Sequence, residues 1–185
     1  MIATSRITVA VLTGVLAVST ALALDPSVAD VPGYVDGAAF VELADPDGTL
    51  VEISLPGKIL KPFCGVLKKQ DPDLEIACGL EWIGAIVLEF DEPSENLDKA
   101  RQLVIDTEER LLDRGWDRLA RVQEGDEIVR VLMLVNDDIV SGLVVLVVDD
   151  SEIVFANVAG DIDMNQLGAL AEKMGVPGLE DIEID

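Results

Sequence analysis

The chain has 185 residues, 36 of them acidic against 13 basic, with no histidine and a formal charge of −23. That balance excludes nucleic acid and anionic membrane surfaces as ordinary partners, because both repel it, and the lack of histidine excludes Ser-His-Asp and Cys-His catalysis. Half of the residues are hydrophobic, so a chain of this length folds around its own core as one domain, without needing a metal or a disulfide.

Residues 1–23 carry one charge, Arg6, followed by an apolar or hydroxylic run from Ile7 to Ala23. Ala21-Leu22-Ala23 fits a small-x-small cleavage site. The run is short for a membrane span, and Asp25-Pro26 interrupts any continuing helix. The expectation is a signal peptide cleaved near Ala23, with export to the periplasm or cell envelope. The alternative is an uncleaved anchor, the one case in which a membrane becomes a partner. Cleavage removes a cation and no acid, leaving the mature chain one charge more negative.

Residues 24–48 read as an extended lead-in that closes on the turn Asp45-Pro46-Asp47-Gly48, where Pro presets φ and Gly takes a left-handed position. Within it, 37–44 fits either a short helix with Phe40, Leu43 and Ala44 on one face or a strand. Residues 49–174 form the single domain. Leu50 to Leu55 alternates as a strand and stops at Pro56-Gly57. Ile59, Leu60, Phe63, Val66 and Leu67 then recur at helical spacing over 58–69. Asp71-Pro72 opens a second short helix reaching about Leu80, and Ile83 to Phe90 is a strand. Ser94 caps a helix with Glu95 and Asp98 in its first turn, where acids suit the dipole. Its inward stripe is Leu97, Ala100, Val104, Thr107 and Leu111, with Arg114 in the last turn and Gly115 as the C-terminal cap.

Four strands follow, Arg118–Gln123, Ile128–Val135, Ile139–Val148 and Ile153–Ala159. Their short Asp-, Asn- and Gly-rich turns imply antiparallel hairpins. Asp163 caps a last helix with Leu167, Leu170, Ala171 and Met174 inward, and 175–185 is an acidic tail. The fold class is α+β: a mostly antiparallel sheet with a C-terminal four-strand meander, helices packed mainly on one face.

These pieces resemble a bacterial family known as domain of unknown function 4252 (DUF4252). The matching phrases are Gly33-Tyr34-Val35-Asp36, VEISLPGKILKPF over 51–63, DRGWDRLARVQEGDEIVRVLML over 113–134 and IVSGLVVLVVDDSEIVFANVAGDID over 139–163. Together they cover most of 33–171. The resemblance implies an exported or lipid-anchored envelope protein, although this chain has no lipobox cysteine, and it implies no activity.

No chemical motif stands out. The pairs Asp45/Asp47, Asp137/Asp138, Asp149/Asp150 and Asp161/Asp163 fall almost entirely in turns, where aspartate serves local hydrogen bonds. Asp45-Pro46-Asp47-Gly48 is too short for a calcium loop, and no phosphate-cradling glycine loop occurs. Trp82 and Trp116 read as packing residues. No catalytic, cofactor-binding or metal-ligating residue is therefore assigned. Cys64 and Cys78 are either a disulfide, worth roughly 3 kcal/mol for a loop of this length, or two buried thiols; two thiols without histidine leave zinc short of ligands.

Two features are sharper. Lys58, Lys61, Lys68 and Lys69 concentrate a third of the mature chain's cations on one helix. They are either ordinary solvated lysines or a docking face for an acidic partner or headgroup. Val131–Val135 and Leu143–Val148 are apolar on both strand faces, where a sheet wetted on one side alternates. The second face needs a cover: residues 24–48 folding back, a second copy, or a partner. The expected function is an exported, non-enzymatic envelope protein that binds a protein or pairs with itself through the sheet. The alternatives are a carrier of a small apolar ligand and a small carboxylate-dependent hydrolase.

Overall fold

The structure, a computed structural model, describes residues 28–70, 78–90, 94–136 and 139–163. In chain order these form α1 (Ala38–Val41), β1 (Thr49–Pro56), α2 (Gly57–Gln70), β2 (Leu80–Glu89), α3 (Glu95–Leu112), β3 (Asp117–Glu124), β4 (Glu127–Asn136), β5 (Ile139–Val148) and β6 (Glu152–Asp163). The molecule is α+β. Its six strands make one sheet in the order β1-β2-β6-β5-β4-β3, and every neighbouring pair is antiparallel.

Short-range chemistry sets the turns and caps. Gly125 takes φ 59° between β3 and β4. Asp149 Oδ1 accepts from the backbone N–H groups of Ser151 and Glu152 at 2.7 and 2.8 Å, closing the β5–β6 turn. Ser94 Oγ accepts from Asn96 N at 3.2 Å as the N-cap of α3. The same hydroxyl donates to Asp45 Oδ2 and the Asn96 amide donates to Asp45 Oδ1, so the turn before β1 is tied to the start of α3.

The core lies between α3 and one face of the sheet. Leu97, Ala100, Val104 and Leu111 of α3 pack in one cluster with Leu132, Val144, Leu146, Val148, Leu88 and Phe155. The lead-in joins this same cluster. Residues 37–44 take the helical option as α1, and Phe40, 1% exposed, stacks on Phe155 at 4.9 Å. Buried Asn157 clamps the segment to β6: it accepts from Val35 N and donates to Gly33 O, both at 3.0 Å. The crossing is close enough to require glycine on both sides. Gly33 has φ 82°, and a Cβ there would meet Ser141 O at 1.9 Å, while one on Gly142 would meet the Gly33 backbone at 2.6 Å.

Two boundaries differ from the sequence reading. Leu80 opens β2 instead of ending a helix, and β6 runs through Asp163 where a helix was expected to begin. The cause is pairing: Leu80 lies opposite Gly160, and Ile139 opposite Asp163, so neighbouring strands hold Gly160 to Asp163 extended. The rest of the short helix expected after Asp71 and the body of the last helix, 164–174, lie outside the described residues.

Candidate functional site

Residues paired directly across antiparallel strands share a face, so the register defines what the other side of the sheet presents. A ladder of valines crosses all six strands: Val51 opposes Val87, Val87 opposes Val154, Val154 opposes Val147, Val147 opposes Val129, and Val129 opposes Val122. Two residues along, the next ladder reads Ile53, Ala85, Ala156, Val145, Val131 and Ala120. A third reads Leu55, Ile83, Val158, Leu143 and Met133, and there Leu60 of α2 packs on the sheet. The first two ladders contain no polar side chain. β-branched and small residues make this surface smooth, as sheet packing favours.

Among the described residues this surface is not covered as its opposite is. Along β5, Val144, Leu146 and Val148 are each 0% exposed, while Leu143, Val145 and Val147 between them are half-buried. At the sheet margins Val51, Ile53 and Val122 are exposed by 44%, 45% and 49%. Beyond the valine ladder the same face turns acidic. Glu89 pairs with Glu152, and Glu124 with Glu127. Asp47, Glu89 and Glu152 line a polar cleft of about 280 Å³ at that end of β1 and β2.

The opposite end of these two strands carries α2. Its sequence, GKILKPFCGVLKKQ, has four lysines and no acid. Lys58, Lys61 and Lys69 are exposed, Lys68 falls on the same helix, and Lys61 Nζ lies 3.9 Å from Glu81. Ile59, Phe63 and Val66, read from spacing as a helix's apolar positions, are 44%, 59% and 54% exposed. Helical periodicity shows that they share a side and leaves open whether anything covers it. Cys64 of α2 is joined to Cys78 just before β2, their Cα atoms 5.1 Å apart.

A second concavity, of about 420 Å³, opens between residues 34–42 and strands β1 and β2. Tyr34, Trp82, Ile86 and Phe155 supply apolar walls and Asp36, Glu42 and Glu52 polar ones. Tyr34 meets Trp82 edge-on at 5.3 Å. Burial, and secondarily the Asp36 carboxylate, raise the Tyr34 phenol above its usual range. Among the described residues the buried Trp82 indole N–H meets no hydrogen-bond acceptor.

One polar cluster was missed in the sequence. Arg130, 1% exposed in the middle of β4, donates to Glu108 Oε2 at 2.8 Å and to the carbonyls of Val122 and Val129 at 2.9 Å. Arg118 holds the other Glu108 oxygen. A lone arginine inside an apolar strand, and a glutamate beside Thr107 on the inward stripe of α3, were the available signals. The cluster pins α3 to β3 and β4. Trp82 and Trp116 are both buried. Among the described residues no three His, Cys, Asp or Glu side chains are placed to hold a metal, and no helix is long and apolar enough to cross a membrane.

Fold and surface together define an α+β single-sheet protein whose prominent open feature is a broad apolar sheet face edged by charge. The family to which it belongs is the domain of unknown function DUF4252, which matches over residues 45–170. Neither the curated proteins nor the solved structures contain a match.

Proposed function

We propose that this is an exported, non-enzymatic protein of the periplasm or cell envelope that works by association, with itself or with a protein partner, through the open face of its sheet. The carrying observation is the pair of unbroken apolar ladders across six strands, exposed at Val51, Ile53 and Val122 and half-buried on the strands between. A contiguous apolar patch of this kind is often an interaction site. The four-strand run β3 to β6 supplies most of it, with α1 and α3 on the far side. Export rests on residues 1–23 as read above. Intact-mass analysis of protein from its native host tests it: loss of the segment to about Ala23 is expected, and retention of Met1 overturns cleavage. Light scattering tests association: a mass of two chains or more is expected, and a strict monomer at high concentration overturns it.

The cleft beside Tyr34 and Trp82 favours a second reading, a carrier of a small ligand with an apolar body, since its volume is within the range of small-molecule sites. Small molecules released on denaturing protein purified from the host would support that reading; a ligand-free protein whose Trp82 fluorescence ignores added apolar compounds would reject it.

A further inference from the structure

We propose that the open face closes on a second copy of this chain, face to face with strands reversed, so that α2 of each copy lies over the acidic strand ends of the other. This rests on the association reading above and adds the partner and its orientation.

Size favours a second copy. Six strands spaced about 4.8 Å apart, over the two ladders that α2 leaves open, about 7 Å apart, present on the order of 400 Å². The exposed stripe Ile59, Phe63 and Val66 adds to it, bringing each copy toward the roughly 800 Å² per partner of a standard interface. The described part of the lead-in is not the cover: residues 28–44 are committed to the α3 side through Asn157 and Phe155.

Charge selects the orientation. Two identical faces meet about a twofold axis lying between them. An axis along the strands keeps the acidic ends together and lays the Glu89–Glu152 end of one copy over the Glu124–Glu127 side of the other, bringing like charges to about a Debye length of 8–10 Å. An axis across the strands exchanges the ends and keeps each strand over its counterpart. Helix α2 springs from β1 and packs against β1 and β2. The cleft of Asp47, Glu89 and Glu152 lies at the other end of those same strands. The crossed axis therefore brings the acid-free, four-lysine helix of one copy over the acidic cleft of the other, and does so twice. Net charge of −23 opposes encounter, but at contact the local pairing decides, because distant charges are screened.

The test uses protein purified after export and sedimentation velocity over a range of concentrations. Wild type is expected as a dimer with a concentration-dependent thermal midpoint, and Val145→Glu as a monomer that still unfolds cooperatively at a midpoint independent of concentration. Lys61→Glu/Lys69→Glu and Glu89→Lys/Glu152→Lys are each expected to weaken dimerisation at least tenfold, since each homodimer repeats a repulsive contact. An equimolar mixture of the two restores both contacts and should return a heterodimer of near wild-type affinity. A dimer abolished by Val145→Glu whose charge variants fail to complement overturns the orientation and leaves the association reading standing. A wild-type monomer that Val145→Glu unfolds overturns both.

Discussion

Val145 and Leu146 are neighbours in β5, yet Leu146 is 0% exposed in the cluster under α3 while Val145 stands half-exposed on the opposite face. The same comparison holds strand by strand. The α3 face mixes large side chains, Phe40, Phe155, Leu88 and Trp116, with polar pins at Glu108, Arg130 and Asn157. The two open ladders are Val and Ala apart from Ile53, and among the described residues they carry no polar pin. Irregular, interlocking residues with satisfied buried polar groups fix one arrangement of helix on sheet. A smooth apolar surface suits a partner that is itself a flat sheet. Alternation within single strands thus separates a face built for folding from a face available for docking.

The largest effect that would break this comparison is on the pinned side. Glu108→Ala leaves Arg130 buried without its carboxylate and should cost about 3–5 kcal/mol in urea unfolding. Glu108→Leu/Arg130→Met removes both charges together and should cost clearly less than the single change. If it costs more, the cluster contributes net stability and is not chiefly a device of specificity.

Leu146→Ala should cost about 3 kcal/mol through the cavity it leaves, whereas Val145→Ala should cost less than about 1 kcal/mol. Equal losses would mean that both faces are covered within one chain. Removing the link between Cys64 and Cys78 by Cys64→Ser frees a loop of sequence separation 14. It should lower stability by up to about 3 kcal/mol on the chain-entropy argument. No change in midpoint would show that α2 is held by its packing alone.

The smallest effect concerns the edge of the pinned face. Tyr34 is the sole tyrosine, so an ultraviolet titration reports it directly. Its midpoint should lie above the ordinary phenol range, because burial first and Asp36 second disfavour the phenolate. Asp36→Asn should lower the midpoint less than unfolding does. The stabilisation linked to this group is complete below the unfolded tyrosine pKa and is lost as pH rises through the higher folded value. A normal midpoint would mean that the lead-in does not shield Tyr34.

The architecture was legible where local rules act alone. Ser94 and Gly115 marked the ends of α3, alternation gave β1, and short turns such as those at Gly125 and Asp149 gave the hairpins of β3 to β6. It was illegible where pairing at a distance overrode local signals. Gly160-Asp161 looks like a helix approach, and only partners on β2 and β5 make it strand. The two-sided apolar pattern of β4 and β5 was visible. Its continuation through Val51, Val87, Val122 and Val154 into one ladder was not, because register is a property of pairs. Exposure of Ile59, Phe63 and Val66 was equally hidden, since spacing carries no information about what lies opposite.

The sheet is open, so it has two margins as well as two faces, and these differ in valency. A face that meets its own copy is used up, and assembly stops at two; a margin that accepts a new strand always exposes another. β3 bars that second route with Asp117, Arg118, Arg121 and Glu124 along its length. β1 carries a single charge, Glu52, among Leu50, Val51, Ile53 and Leu55, ahead of Pro56. Pairing through the face would therefore also shelter the exposed side chains of this weaker margin, turning a strand that could seed open-ended growth into the rim of a closed particle.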